Sequence, residues 1–119
     1  MRKLLVVVAL FAAFGVMSGT ASASYASRIN AERSAKQYLE FEAFSRTGLI
    51  HQLKYEGYST YDATWGVNHS GANWFVQAKK SARQYLRTMP FSRSSLIQQL
   101  EFEGFTPAQA VYGVNAVGL

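Results

Sequence analysis

Histidine and aspartate are the side chains of this 119-residue sequence best suited to acid–base or metal chemistry, and they are scarce. The chain has two histidines, His51 and His69, one aspartate, Asp62, and no cysteine. A zinc site needs several ligands held together, and a catalytic triad needs a nucleophile, a base and an orienting acid. Glycine motifs that cradle phosphate are absent as well. We therefore expect no catalytic residue, no metal and no cofactor, and the sequence predicts a binding protein and not an enzyme.

An internal repeat organises the chain. An offset of 47 residues sets positions 34–39 over positions 81–86 and then holds without a gap, and about half of the aligned positions are identical. Such self-similarity is typical of a duplicated structural unit. The counterparts of His51 and His69 are Gln98 and Ala116, so neither histidine belongs to the repeated design.

Several polar side chains recur in both copies, among them Arg46 and Arg93, Gln52 and Gln99, Glu56 and Glu103, and Asn68 and Asn115, with Lys36 and Arg83 and Gln37 and Gln84 on the first helix. Their recurrence indicates a structural role for most of them. The glutamates come at the carboxyl end of a predicted helix, where the helix dipole disfavours a negative charge. We therefore expect a compensating partner, either a cation such as Lys36 or Arg83 or the backbone amides at the start of the next helix.

Arg46 and Arg93 are the leading candidates for contact with a partner molecule. Both occupy the first turn of a predicted helix, which is the end where the dipole disfavours a cation. Compensation by an external anionic partner is one interpretation. The other is a structural contact, with Glu42 or with the neighbouring repeat.

Caps and breakers mark three helices in each copy. Apolar residues at positions 31, 35, 38 and 39, and again at 78, 82, 85 and 86, share one face of a first helix. A second helix ends where Gly57 and Gly104 suit the left-handed C′ position. The predicted N-caps are Ser45 and Ser92 for the second helix, Ser59 and Thr106 for the third, and Asn73 for the first helix of the second copy. The pattern predicts an all-α fold of two tandem three-helix, helix-turn-helix-like repeats.

Large aromatic side chains are available for contact between the copies. Each unit has about 45 residues, near the lower limit for a domain without disulfides or metal, so the two are expected to pack together. Trp65, Trp74, Phe75 and Tyr112 are interpreted as core or inter-repeat packing, with stacking on a ligand as the alternative. Trp65 and Tyr112 are accordingly candidates for a partner-binding surface.

The amino terminus has the pattern of a secretory signal peptide. Arg2 and Lys3 precede an apolar run over residues 4–17, which is shorter than the about 20 residues of a membrane-spanning helix. Cleavage is expected after Ala23, which divides the chain into a signal peptide (1–23), a first repeat (24–71) and a second repeat (72–119). We expect a secreted or cell-surface protein that associates with a membrane only through an uncleaved signal segment. Without cysteine, no lipid anchor is expected.

The charge pattern argues against a nucleic-acid partner. The formal net charge of +5 falls to +3 (5 − 2) once Arg2 and Lys3 leave with the signal peptide. The segments 60–70 and 107–119, which would correspond to recognition helices, contain no lysine or arginine to neutralise phosphates. A protein partner is favoured, and a general cell-envelope or cell-wall module stays open as an alternative.

The repeated segments resemble a known family. Residues 34–39 and 44–59, with their counterparts 81–86 and 91–106, are similar to the Ltp family of host cell surface-exposed lipoproteins, over nearly all of residues 31–118. The resemblance implies compact helix-turn-helix-like domains in tandem and an occurrence in prophages and Gram-positive genomes. It also implies superinfection exclusion, in which an exposed protein blocks injection of phage DNA by binding the phage tape measure protein.

Overall fold

The computed structural model describes residues 21–119, which form six α-helices and no strand. The helices are α1 (Ala21–Phe41), α2 (Arg46–Tyr55), α3 (Thr60–Asn68), α4 (Trp74–Thr88), α5 (Arg93–Phe102) and α6 (Pro107–Ala116). The all-α prediction is confirmed for this part of the chain. The predicted signal peptide spans residues 1–23, and its residues 1–20 lie outside the described part of the chain. No helix in the described range is long and apolar enough to cross a membrane.

Each repeat has its own apolar core. Helices α1, α2 and α3 enclose one cluster of buried side chains, and α4, α5 and α6 enclose the other. Seven of the eight buried positions match: Ala31, Ala35, Tyr38, Leu49, Leu53, Ala63 and Val67 in the first repeat, and Ala78, Ala82, Tyr85, Leu96, Leu100, Ala110 and Val114 in the second. The eighth is Phe44 in the first and Phe105 in the second, and their aligned residues Phe91 and Tyr58 are only partly buried. The apolar faces predicted from the sequence spacing are therefore the ones that the helices bury.

The predicted capping residues lie at the helix termini, as expected. Ser45 Oγ accepts a hydrogen bond from the Gly48 amide at 2.9 Å, which satisfies one of the free amides at the start of α2. At the other end of α2, Gly57 has a φ of 107°. Its amide donates to Lys54 O at 3.0 Å while the Tyr58 amide donates to Leu53 O at 3.2 Å. This pair of bonds is the Schellman motif, and the same pair closes α5 at Gly104.

A glycine in the third helix of each repeat allows the first helix to come very close. A Cβ atom on Gly66 would lie 2.6 Å from the carbonyl carbon of Ala31, and one on Gly113 would lie 2.7 Å from that of Ala78. Backbone therefore packs on backbone at both crossings, α1 on α3 and α4 on α6. These are also the most extensive helix pairings in the described chain.

The two repeats are joined by an asymmetric contact. The start of α2 binds the turn after α5: Ser45 Oγ donates to Glu103 O at 2.6 Å and Thr47 Oγ1 donates to Gly104 O at 3.3 Å. The Phe44 amide donates to Gln77 Oε1 on α4 at 3.1 Å. Each repeat therefore uses a different surface at the joint. The equivalent surface on the other repeat is left unused in each case, as in open repeat arrays.

Trp74 strengthens the joint between the repeats. It is the first residue of α4, yet its partly buried side chain packs against the core of the first repeat. The expectation of inter-repeat packing is therefore met at this tryptophan. The described helices form one elongated body of 51 × 23 × 19 Å.

A buried amide in the first repeat organises the polar residues that recur. Gln52 is fully buried, and its Nε2 donates to the Tyr38 hydroxyl and to Glu56 Oε2, both at 3.3 Å. The expected cation Lys36 lies 2.8 Å from Glu32 instead. Burial of the carboxyl group raises the pKa of Glu56 from 4.5 to about 7. The neighbour of Glu56 is therefore a neutral amide, which suits a carboxyl group that is protonated near neutrality.

The second repeat keeps the amide and changes the contact of its glutamate. Gln99 Nε2 donates to the Tyr85 hydroxyl at 3.2 Å, as Gln52 does to Tyr38. Glu103 Oε1 accepts a hydrogen bond from the buried Ser81 hydroxyl at 3.3 Å. Both glutamates thus contact uncharged donors inside their own repeat.

The glycine crossings predict a destabilising substitution. Alanine normally stabilises a helix interior relative to glycine by about 1 kcal/mol. At Gly113 the added methyl group would meet the backbone of Ala78, so we expect Gly113→Ala to lower the free energy of unfolding by about 1–3 kcal/mol. Urea unfolding followed by circular dichroism measures this, with Gln98→Ala at an exposed site of α5 as control. A more stable Gly113→Ala protein would show that the crossing has room for a side chain.

The raised pKa of Glu56 predicts a pH dependence. Since the folded-state pKa of about 7 exceeds 4.5, the folded chain binds more protons than the unfolded chain between these values, and stability falls as the pH rises through them. Glu56→Gln retains an acceptor for the Gln52 amide and removes the titrating group. We expect this variant to show a smaller fall in melting temperature between pH 5 and pH 8, and to be more stable than the native protein above about pH 7.

The control for that experiment is Glu101→Gln, which replaces an exposed carboxylate on α5. It should retain the native pH dependence. If Glu56→Gln instead loses stability with pH as steeply as the native protein, the titrating group lies elsewhere.

Candidate binding surface

Arg46 and Arg93 each form a hydrogen bond to the asparagine that recurs with them. Arg46 Nε donates to Asn68 Oδ1 at 2.8 Å, and Arg93 Nη1 donates to Asn115 Oδ1 at 2.6 Å. Each bond ties the start of the second helix of a repeat to the end of its third helix. The structural contact was expected with Glu42 or with the neighbouring repeat, whereas each arginine binds an asparagine of its own repeat on an exposed surface.

Trp65 lies in an aromatic cluster around Arg28, which we name the Arg28 cluster (Tyr25, Arg28, Tyr61, Trp65 and His69). The guanidinium carbon of Arg28 lies 5.8, 5.7 and 5.9 Å from the ring centres of Tyr25, Tyr61 and Trp65. The His69 ring stacks on Trp65 with centres 3.8 Å apart. Cation–π and stacking contacts of this kind hold large rings in place at a surface. The exposed tyrosines make this cluster accessible.

Tyr112 occupies the position in the second repeat that Trp65 occupies in the first. Its ring meets Phe75 edge to face, with ring centres 5.4 Å apart. Tyr112 is 45% exposed and Phe75 is 42% exposed. Neither ring is part of a buried core cluster, and the same holds for Trp65. The two repeats therefore present aromatic surfaces at equivalent positions.

Both histidines are exposed on the first repeat. His51 is exposed on α2. His69 Nδ1 lies 2.7 Å from Trp65 O, and the ring is stacked on Trp65. Within residues 21–119, no group of three or more His, Asp or Glu side chains is placed to hold a metal ion.

A cleft of about 180 Å³ lies between the repeats. Residues 39–43 at the end of α1 line one wall, and Lys80, Arg83 and Arg87 on α4 line the other. Arg83 was expected only as a partner for a recurring glutamate, and this group of cations was not predicted. Of these three cations, only Arg87 differs in charge from its aligned residue, Glu40, and the cleft that gathers them depends on how the repeats dock.

Comparison with known proteins agrees with this architecture. The sequence profile of the family described as "Host cell surface-exposed lipoprotein" matches residues 28–69 and 73–117. The chain is also similar to the solved structure of Ltp, a superinfection exclusion protein from the Streptococcus thermophilus temperate phage TP-J34. Identity is 32%, the TM-score is 0.71, and the match covers 78% of this chain and 95% of that one. No curated protein is significantly similar to the chain. Two matched repeats and a shared structure show that the chain belongs to the Ltp family of host cell surface-exposed lipoproteins.

Proposed function

We propose that this chain is an exported binding protein that prevents superinfection, blocking entry of phage DNA by binding a phage protein such as the tape measure protein. The observation that carries the proposal is the similarity to the solved superinfection exclusion protein, which extends over 95% of that chain. Shared identity of 32% includes both repeats and not only a common helical scaffold. Binding alone is sufficient for this role, and no reactive group is required.

The distribution of charge and aromatic rings supports a protein partner. Helices α3 and α6 carry no lysine or arginine, so the helices that would enter a DNA groove lack the cations that neutralise phosphates. The Arg28 cluster and the Phe75–Tyr112 pair instead offer large rings held at the surface. Such rings are enriched among the residues that contribute most to protein–protein binding.

Exposure on the host cell surface is the location described for this family. A protein in that position meets the phage before its DNA reaches the cytoplasm, which suits a block at entry. The sequence has no cysteine to carry the lipid of a lipoprotein. We propose that the chain acts at the envelope of the host cell.

Expression in a phage-sensitive host tests the proposed function. We expect normal adsorption of a challenge phage and reduced entry of its DNA, measured by quantitative PCR of intracellular phage DNA. Normal adsorption with normal DNA entry, at a confirmed level of exported protein, would refute the proposal. A general cell-wall module would instead be retained on purified wall material with no effect on DNA entry.

Paired aromatic substitutions test the surface. Truncating Trp65 and Tyr112 to alanine should weaken partner binding by about tenfold or more and restore DNA entry, because aromatic anchors contribute a large part of interface energy. The matched control is the double variant Tyr55→Ala, Phe102→Ala, which removes two exposed rings at equivalent positions elsewhere in the repeats. If the control variant loses protection and the Trp65, Tyr112 variant keeps it, the partner binds the surface that contains Tyr55 and Phe102 instead.

A further inference from the structure

The two repeats differ in charge on helices that are otherwise equivalent. Helix α4 carries four cations, Lys79, Lys80, Arg83 and Arg87. The aligned positions on α1 are Glu32, Arg33, Lys36 and Glu40, so the two middle cations are shared and Lys79 and Arg87 stand where α1 has carboxylates. On α1 the Lys36 ammonium and the Glu32 carboxylate lie 2.8 Å apart. Both helices make the same packing contacts within their repeats, so the fold does not require the extra cations of α4.

Like charges along α4 oppose the stability of the helix. Lys79 and Arg83 are four residues apart, as are Arg83 and Arg87, and like-charge pairs at this spacing repel each other. None of these side chains forms an ion pair with another residue in the range 21–119. Because these like charges weaken α4, and α1 has carboxylates at the positions of Lys79 and Arg87, a role outside folding accounts better for the two extra cations.

The docking of the repeats places these cations beside apolar surface. Lys80, Arg83 and Arg87 line one wall of the inter-repeat cleft, and Leu39 and Phe41 line the other. Phe41 is 77% exposed. A cavity of about 150 Å³ holds a benzene ring, so the cleft of about 180 Å³ has room for one aromatic or large aliphatic side chain.

We propose that this cleft docks an acidic amphipathic segment of a protein partner. Carboxylates one helical turn apart on that segment would face Arg83 and Arg87, and an apolar side chain between them would enter the cleft against Phe41. The inference adds detail to the proposed function. It rests on that function for the statement that the partner comes from a phage.

The opposite wall of the cleft favours a protein over a uniformly anionic polymer. Glu40 lies on that wall, and it would repel a chain that is negative along its whole length. A peptide segment can place carboxylates toward α4 and apolar groups toward Phe41. Because the cleft combines cations with apolar side chains, its occupant is expected to combine carboxylates with apolar side chains.

Selection from a library of random peptides of about 16 residues, or four helical turns, tests the proposal with the purified protein as bait. Peptides that bind should carry two or more acidic residues at one-turn spacing with an aromatic or aliphatic residue between them. Binding of a selected peptide should fall by about tenfold in the double variant Arg83→Glu, Arg87→Glu, measured by fluorescence anisotropy. The control Arg33→Glu, Lys54→Glu makes the same change in net charge at exposed sites away from the cleft.

Phe41→Ala provides a second variant that leaves every charge intact. Its side chain is exposed, so truncation should not disturb folding, and we expect it to weaken peptide binding as well. Circular dichroism establishes which variants are folded. If the charge-reversal variant does not fold, the result for Phe41→Ala alone decides the proposal. Selected peptides without acidic residues, or binding unaffected by either cleft variant, would overturn the proposal. The proposal would also be overturned if glycerol phosphate polymer bound as tightly as the peptides and its binding required Arg83 and Arg87 but not Phe41.

DNA-entry assays separate this inference from the proposed function. If the native chain protects cells and the Arg83, Arg87 variant protects equally well, the docking proposal fails and the function stands. If peptides bind the cleft as expected and the native chain gives no protection, the cleft stands and the proposed function fails.

Discussion

The contact of backbone with backbone at Gly66 and Gly113 is the constraint on which the rest of this structure depends. A unit of about 45 residues has little room for a core, and the chain has no cysteine to cross-link it. Close approach of the first and third helices, with Ala31 and Ala78 facing the glycines, lets short helices exclude water from a small cluster of leucines and aromatic rings. The glycine is therefore a packing requirement at this site and not a hinge.

Features that depend on a few neighbouring residues could be predicted from the sequence. The N-caps at Ser45 and Thr106 and the left-handed Gly57 all follow from local rules, and each is found. A reciprocal cap forms at Thr106, where Gln109 Oε1 accepts from the Thr106 amide at 3.0 Å. The aligned Asp62 makes no such bond among the described contacts of α3, although the shorter side chain of Ser95 accepts from the Ser92 amide at 3.1 Å at the start of α5. A suitable residue type three positions after the N-cap is therefore not sufficient to predict the reciprocal bond.

Features that depend on helix crossings or on docking of the repeats could not be predicted. The alignment showed that Gly66 and Gly113 recur, but the reason appears only when Ala31 and Ala78 are placed against them. The partner of Glu56 was expected to be a cation or backbone amides and is the Gln52 side chain. Of the candidate surface, the aromatic positions 65 and 112 were identified from composition, whereas the cleft between the repeats required the three-dimensional arrangement.

Duplication separates what the fold needs from what it tolerates, because one scaffold has been built twice from two sequences. In the first repeat Tyr58 reaches Ser34, with 3.1 Å between their hydroxyl oxygens; in the second, Phe105 lacks that hydroxyl and Ser81 turns to Glu103. The buried polar groups rearrange and the helices stay in place. Surface charges are freer still, since α4 has cations at positions 79 and 87 where α1 has carboxylates. A binding surface at the joint between the repeats has a further consequence, since a partner that spans it stabilises the docked arrangement it recognises.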